Sequence, residues 1–365
     1  MNNISVQEWN EKQFENCKHE WNTLLKRSSS DPLFLSWEWM HTWWNAFADP
    51  DMQLYLLTAT NQEGDLIGIA PLYSTKAKTK KFIVTRRLEF IGNRWRGQAT
   101  MRTELLEFIA EKPKSKEITK AFFNYLSNDS HWDELILSDL RKDSDTYRYL
   151  NQYQLLPRCY HRNAEEYDSF YIETSSDFND YIHQLGKNTR LRLFNRRKLL
   201  IQLGNTQFIT PNKDDIENLF QLLNNLHAKR WGSPVFQDKR LEFNVALAKL
   251  MDQRDALHFS TVTIDNEPVS IQYNYVVNNH KYNIQAGFEE GFHKKIALGY
   301  LHFGYEIENA CNSDITTYDL LAGEGKNTSY KKHLTKSSVR IINLQIIRNP
   351  IVKFIYRLYD YYSRL

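Results

Sequence analysis

Two related α/β domains in one chain are what this sequence predicts, and three observations carry that prediction. At 365 residues the chain is long for a single hydrophobic core. Each half holds helices, then a strand–turn–strand pattern, then further strands with a helix between them. The order of these elements recurs, although no short-period repeat is visible. The expected division is 1–160 for an N-terminal domain, 161–345 for a C-terminal domain and 346–365 for an amphipathic C-terminal helix.

In the first half, "NCKHEWNTLLKRS" has helical spacing, and "DPLFLSWEWMHTWWNAFADP" is an aromatic helix after an Asp-Pro break. Trp39, Trp43, Trp44 and Phe47 form one stripe of it, a core pattern more than a ligand platform. "QLYLLTATNQEGDLIGIAPLYSTKA" has the apolar–turn–apolar pattern of a β-hairpin. "RRLEFIGN" and "WDELILSDL" are further strands, with the helix "ITKAFFNYLSN" between them.

The pattern restarts near residue 160. After a short strand and a basic helical segment come the strand "TQFIT" and the helix "KDDIENLFQLLNNLHAKRW", apolar at 216, 219, 220, 223 and 226. "RLEFNVALAKLMDQ" is another helix. "ALHFSTVTIDNEPVSIQYNYVVNNHKYNIQAGF" is three strands broken at Asp-Asn-Glu-Pro and Asn-Asn-His turns. The helix "LGYLHFGYEIENACN", the strand "YDLLA", a short helix from Tyr330 and the strand "VRIINLQII" follow. The tail "NPIVKFIYRLYDYYSRL" reads as a basic, aromatic helix, docked on the second domain or lying on a membrane surface.

Bulk properties narrow the function. A formal charge of +3 is too small to argue for nucleic acid by itself. Cys17, Cys159 and Cys311 lack CxxC spacing and read as free thiols in a reducing compartment. The N-terminus lacks a signal-peptide pattern and no apolar run is long enough to span a bilayer, so a cytoplasmic location is expected. No Walker loop, GxSxG elbow, HxxxH pair or two-metal carboxylate cluster stands in the sequence, and no metal is expected.

Three clusters could carry chemistry. "YDLLAGEGKNTSYKKHL" (318–334) starts as a buried strand and breaks at Gly323-Glu324-Gly325, where glycines open the backbone to an approaching group. Between 181 and 213, Lys187, Arg190, Arg192, Arg196, Arg197 and Lys198 gather cations suited to phosphates, a polyanionic glycan or RNA, or simply to solvent. "LHAKRW" ends a helix with His227, Arg230 and Trp231, a set that can stack on and hydrogen-bond a sugar, or pack.

Taken in order, "SWEWMHTWW", "GIAPLY", "LGKNTRLRLFNRRKLL", "LHAKRW", "PVSIQYN", "KIALGYLHFGYEIE" and "YDLLAGEGKNTSYKKHL" resemble the GNAT acetyltransferases, most narrowly the CelD/BcsL type, related to the tandem-GNAT FemABX transferases. The resemblance implies tandem GNAT-like domains, each a mixed twisted sheet flanked by helices. It implies acyl-CoA, acetyl-CoA in the simplest case, as donor substrate, held where two parallel strands splay apart. Gln285 and Gly287 would line the strand edge. Lys294, Lys295, Ala297 and Gly299 would hold the pyrophosphate at the next helix start, where one glycine replaces the usual pair. Tyr330 matches in position the tyrosine that protonates the departing thiolate. Glu324, or alternatively Asp319, would be the base, and Lys331 would stabilise the oxyanion or grip an anionic substrate. His227, Arg230, Trp231, Arg190 and Arg196 would bind the acceptor.

The function implied is N- or O-acylation of a sugar or glycan precursor in bacterial polysaccharide synthesis. Peripheral contact with a membrane or with glycan-synthesis machinery would accompany it. A FemABX-like transferase drawing on aminoacyl-tRNA and a non-catalytic GNAT-like binding module are the alternatives.

Overall fold

The computed structural model describes residues 4–79, 83–322 and 330–362. The chain forms two compact units, one holding the residues up to Tyr167 and those from Arg340 onward, the other holding Asp168–Val339.

In the first unit, β1 (Ser5–Trp9), α1 (Glu11–Asn16), α2 (Lys18–Lys26) and α3 (Trp37–Phe47) lead into the strands β2 (Met52–Thr60), β3 (Leu66–Thr79) and β4 (Ile83–Phe90). The two-residue β5 (Ile109–Ala110), the crossover helix α4 (Ser115–Asn128), β6 (Glu134–Arg141) and α5 (Asp145–Gln152) follow. The chain enters the second unit through β7 (Tyr160–Glu173), then α6 (Phe178–Gln184), α7 (Lys187–Arg190), a π turn at Leu191–Asn195 and α8 (Arg197–Gln202). Next come β8 (Thr206–Ile209), α9 (Ile216–Trp231), α10 (Asp238–Asp252), β9 (Leu257–Ile264), β10 (Glu267–Val277) and β11 (His280–Phe288). The crossover helix α11 (Leu298–Cys311), β12 (Thr317–Leu321) and α12 (Lys331–Leu334) complete that unit, and β13 (Ser338–Ile347) and α13 (Pro350–Tyr362) end the chain.

The two units repeat one topology. Strands run in the order β1-β2-β3-β4-β6-β13 in the first and β8-β9-β10-β11-β12-β7 in the second. In each, the fourth and fifth strands are the parallel pair, joined by a crossover helix, and the other neighbours are antiparallel. This is the tandem α/β arrangement read from the sequence. The strand "VRIINLQII", grouped there with the second domain, pairs with β6, so the end of the chain completes the first unit.

Local chemistry explains the elements. Ser36 caps α3 by accepting the Trp39 N–H, and the four α3 tryptophans are buried, two of them with these indole bonds: Trp39 Nε1 donates to Thr103 Oγ1 at 2.8 Å and Trp43 Nε1 to the Met101 carbonyl at 3.0 Å. On α9 the apolar positions Ile216, Leu219, Phe220, Leu223 and Leu226 are its buried face. Gly232, at φ 77°, ends α9 in the left-handed region that a side chain disfavours. The hairpins turn on Asp265-Asn266 and Asn278-Asn279, all at positive φ, the backbone a two-residue hairpin demands. Gly304 lets α11 meet the π turn: a Cβ there would lie 2.1 Å from the Leu193 carbonyl oxygen.

Both parallel pairs are short. β4 and β6 pair over three positions, Arg87↔Glu134 to Glu89↔Ile136, and β11 and β12 over three, His280↔Thr317 to Tyr282↔Asp319. Beyond those positions the strands part, and β6 and β12 each slip in register against the outer neighbour. A residue at positive φ marks each departure, Asp139 in β6 and Leu321 in β12.

Candidate active site

The parting of β11 and β12 follows from one carboxylate. Asp319, in the last pair, turns its side chain onto its own strand and accepts the Leu321 N–H at 2.7 Å, with His280 Nε2 3.5 Å away. Bending the backbone back on Asp319 takes the Leu321 N–H out of any ladder with β11. Lys331 secures the far side: its buried ammonium donates to the Leu321 carbonyl at 2.8 Å. Beyond Tyr282, no described strand pairs with β11 on this side, and Ile284, Gln285 and Ala286 are partly exposed there. Opposite Tyr273 and Asn274 the β11 register also bulges, at Ile284.

Several side chains converge on this opening. Phe288 ends β11 and packs so closely on the first turn of α11 that a Cβ on Gly299 would come within 2.6 Å of its ring. The Arg230 guanidinium, from the last turn of α9, lies 4.6 Å from the Phe288 ring centroid and 2.8 Å from the Glu290 carboxylate. Tyr330, just ahead of α12, meets Tyr300 edge-on at 6.1 Å and Phe303 at 6.0 Å. Burial, with Tyr300 beside it and Arg230 opposing, pushes the Tyr330 phenol up to about 12. It therefore keeps its proton at neutral pH. Arg192, in the π turn, lies 5.9 Å from the Tyr300 ring.

The start of α11 is open to an anion: no side chain caps it and no acidic residue stands in its first turn. Ala297 is its N-cap residue, while Lys294 and Lys295 are exposed in the turn before it, which His293 holds by accepting the Lys295 N–H at 3.1 Å.

The other residues singled out in the sequence have the following places. Gln285 folds back and accepts the Ala286 N–H at 2.9 Å. Gly287 is a packing position, since a Cβ there would lie 2.9 Å from the Leu223 carbonyl oxygen of α9. His227 bonds the Ser233 carbonyl through Nδ1 at 2.9 Å, and Trp231 is half exposed beside Arg230. The basic segment does not form one face. Arg197 turns inward, paired with Glu308 and lying 3.9 Å from the Tyr305 ring centroid. Arg190 and Arg196 make no side-chain contact with the cluster around Tyr330 among the described residues. Glu324 lies outside the described residues. No group of three or more metal-ligating side chains forms among those described.

A buried polar layer beneath α11 escaped the sequence reading. His302 sits between the hydroxyls of Ser260 and Ser270, at 2.9 and 2.6 Å, and burial lowers it to about 4, keeping it neutral. Burial works against the Glu306 carboxylate, but the Lys281 ammonium paired with it, helped by His258, holds its carboxyl below the usual range. The Tyr318 hydroxyl donates to Gln272 Oε1 at 2.7 Å, and Asn283 Nδ2 donates to Gln272 Oε1 and Asn274 Oδ1 at 3.0 and 2.9 Å. Asn283 is the first β11 residue past the last pair with β12, so this layer forms the root of the opening. Its signal was the alternation in "VSIQYNYV", where Ser270, Gln272 and Asn274 point one way from an otherwise apolar strand.

Comparisons with known proteins agree with this fold. No curated protein sequence matches the chain. Among solved structures, FemX superposes with a TM-score of 0.61 at 10% identity, over 97% of this chain and 99% of its own. The C-terminal domain of a putative lysylphosphatidylglycerol synthetase from Agrobacterium fabrum gives 0.52 at 6% identity, over 93% of each chain. L-PGS from Bacillus licheniformis gives 0.51 at 10% identity, over 96% of this chain and 97% of its own. At such identities these likenesses speak for the fold. Residues 187–332 match the acetyltransferase (GNAT) domain family, a stretch that runs from α7 through β11, α11, β12 and Tyr330. The matched acetyltransferase (GNAT) domain makes the chain an acyltransferase, and that domain lies in its second unit.

Proposed function

We propose that this chain transfers a short acyl group, acetyl in the simplest case, from acyl-CoA to an amine or hydroxyl of a sugar or glycan precursor in bacterial polysaccharide synthesis. The parting of β11 and β12 after three pairs is the observation that supports it. An amide-bearing arm laid along residues 283–288 would find, on the β12 side, backbone groups that no described strand uses. The start of α11, with Lys294 and Lys295, suits the donor's phosphates. Only general positioning, one base and one acid are then needed.

In this reading the acceptor lone pair forms the new bond to the thioester carbonyl carbon while its proton passes to a carboxylate, with Glu324 as the assigned base. The carbon–sulfur bond then breaks, and Tyr330 gives the thiolate its proton. A phenol at about 12 is fully protonated at neutral pH and so is in place as the acid when the sulfur leaves. Transfer of its proton to a thiolate is uphill, and prompt uptake of a proton from solvent by the phenolate completes the step and restores Tyr330 between turnovers. Asp319 and Lys331 act on the β12 bend. The oxyanion role falls to the edge amides of β11. Arg230, Trp231 and His227, together at the end of α9, form the acceptor side.

Titration calorimetry with acetyl-CoA tests this reading: saturable heat is expected, and no heat at high micromolar ligand overturns it. A second reading, aminoacyl transfer, draws support from the near full-length likeness to FemX and to the C-terminal domain of the putative lysylphosphatidylglycerol synthetase from Agrobacterium fabrum. It predicts tRNA binding that weakens steeply with salt, where the first predicts none.

A further inference from the structure

Helix α13 docks by a narrow face. Val352 and Tyr356 are buried against Ile347, Ile83 and Tyr160, and Asp360 is held by Arg162 at 2.7 Å and by the Tyr160 hydroxyl at 3.0 Å. These contacts fix the rotation of the helix and turn a second apolar stripe outward. Ile351, Phe354, Leu358 and Tyr361, spaced three and four apart, are 62, 63, 43 and 64% exposed. With Tyr359 and Tyr362 they make up six of the eleven large apolar side chains exposed among the described residues. Such a concentration on 13 residues marks a surface that something covers.

Charge identifies the occupant. Lys353 and Arg357 flank the stripe four residues apart, and Lys353 donates to the backbone carbonyl of Arg158, a third basic residue, exposed beside it. None of the three has an acidic partner among the described residues. The one carboxylate of the helix, Asp360, is already paired with Arg162. A second copy of the chain packed isologously on this stripe would set cation against cation, with no acid to answer them. We propose that α13 lies in the interface of an anionic lipid surface. There the apolar stripe enters the headgroup–acyl boundary, the tyrosine hydroxyls stay at headgroup level and Arg158, Lys353 and Arg357 meet lipid phosphates. At about 20 Å the helix is too short to span the bilayer, and no helix among the described residues is long and apolar enough to do so. The inference is independent of the acyl acceptor.

Vesicle flotation tests it with the full chain and two lipid mixtures, phosphatidylcholine alone and phosphatidylcholine with phosphatidylglycerol. The wild type floats with the anionic vesicles and less so as salt rises. The Phe354→Glu, Leu358→Glu double variant, folded by its unchanged melting temperature, loses at least about tenfold in partitioning. Each of Arg158→Ser, Lys353→Ser and Arg357→Ser loses about fivefold. Failure of the wild type to float with anionic vesicles at low salt overturns the proposal, as does wild-type partitioning by the double variant. A dimer in solution that the double variant dissociates, with no flotation of the wild type, would assign the stripe to a second copy.

Discussion

The two units share a topology and differ in what fills the space where the parallel strands part. In the first unit the chain closes it. Leu106 pairs in parallel with Leu140 of β6, its N–H bonded to the Asp139 carbonyl at 2.9 Å and its carbonyl to the Arg141 N–H at 3.3 Å. The segment before it is stitched down: Thr103 exchanges two hydrogen bonds with the Asn93 side chain, and Arg102 reaches the buried Asp139 at 2.6 Å. In the second unit no described segment takes that place beside β11. One fold thus occurs twice, with the gap in the first unit filled by its own backbone and no described strand filling the corresponding gap in the second. In the first unit the filling segment belongs to the connection between β4 and β5, and the shared topology gives no hint of it.

Breaking the seal gives the largest effect. Arg102→Met leaves Asp139 buried without its cation, a loss of about 3 kcal/mol in denaturant unfolding. Acyl-transfer rates per folded molecule should stay within about twofold. An equal loss of kcat would put catalytic work in the first unit. The buried layer of the second unit makes a pH prediction. Its folded His302 titrates at about 4, below the unfolded value of about 6.5, so the unfolded chain takes up a proton first on acidification. Its stabilisation is complete above pH ~6.5, falls as pH drops and is lost below pH ~4, a span worth about 3 kcal/mol. Melting followed against pH should show this slope, and His302→Gln should flatten it.

Smaller changes separate catalysis from shape at the open gap. Tyr330→Phe should lower kcat about 100-fold with the donor KM unchanged, and a thioester with a better leaving thiol should recover part of the loss. A donor KM rising in step with an unchanged kcat would make Tyr330 a packing residue. Asp319→Ala frees the Leu321 N–H and should raise the donor KM several-fold for about 1 kcal/mol of stability. If kcat alone fell, Asp319 would be the base and not the bend.

The fold was largely legible in the sequence because its signals are local. Periodicity on α9, the Asn-Asn and Asp-Asn turns and the recurrence of helix–hairpin–strand order each reflect nearby residues. The site was legible in part. Tyr330 lies within electrostatic reach of Arg230, while Gly287 and Gly299 serve packing that only tertiary contacts reveal. The charge run at 187–198 looked like one patch, yet a π turn breaks it and Arg197 is drawn inward by Glu308 and Tyr305. The strand exchange that gives β13 to the first unit is a long-range pairing with no local signature. The splay rests on Asp319 bonding to an amide two residues on, which strand alternation alone cannot show.

Hydrogen–deuterium exchange with and without acetyl-CoA addresses the open edge of β11 most directly. Slowed exchange is expected at residues 283–288 and at the first turn of α11 when acetyl-CoA is added, with residues 101–108 unchanged. Unaltered exchange along β11 at saturating acetyl-CoA, or protection confined to the first unit, would contradict it.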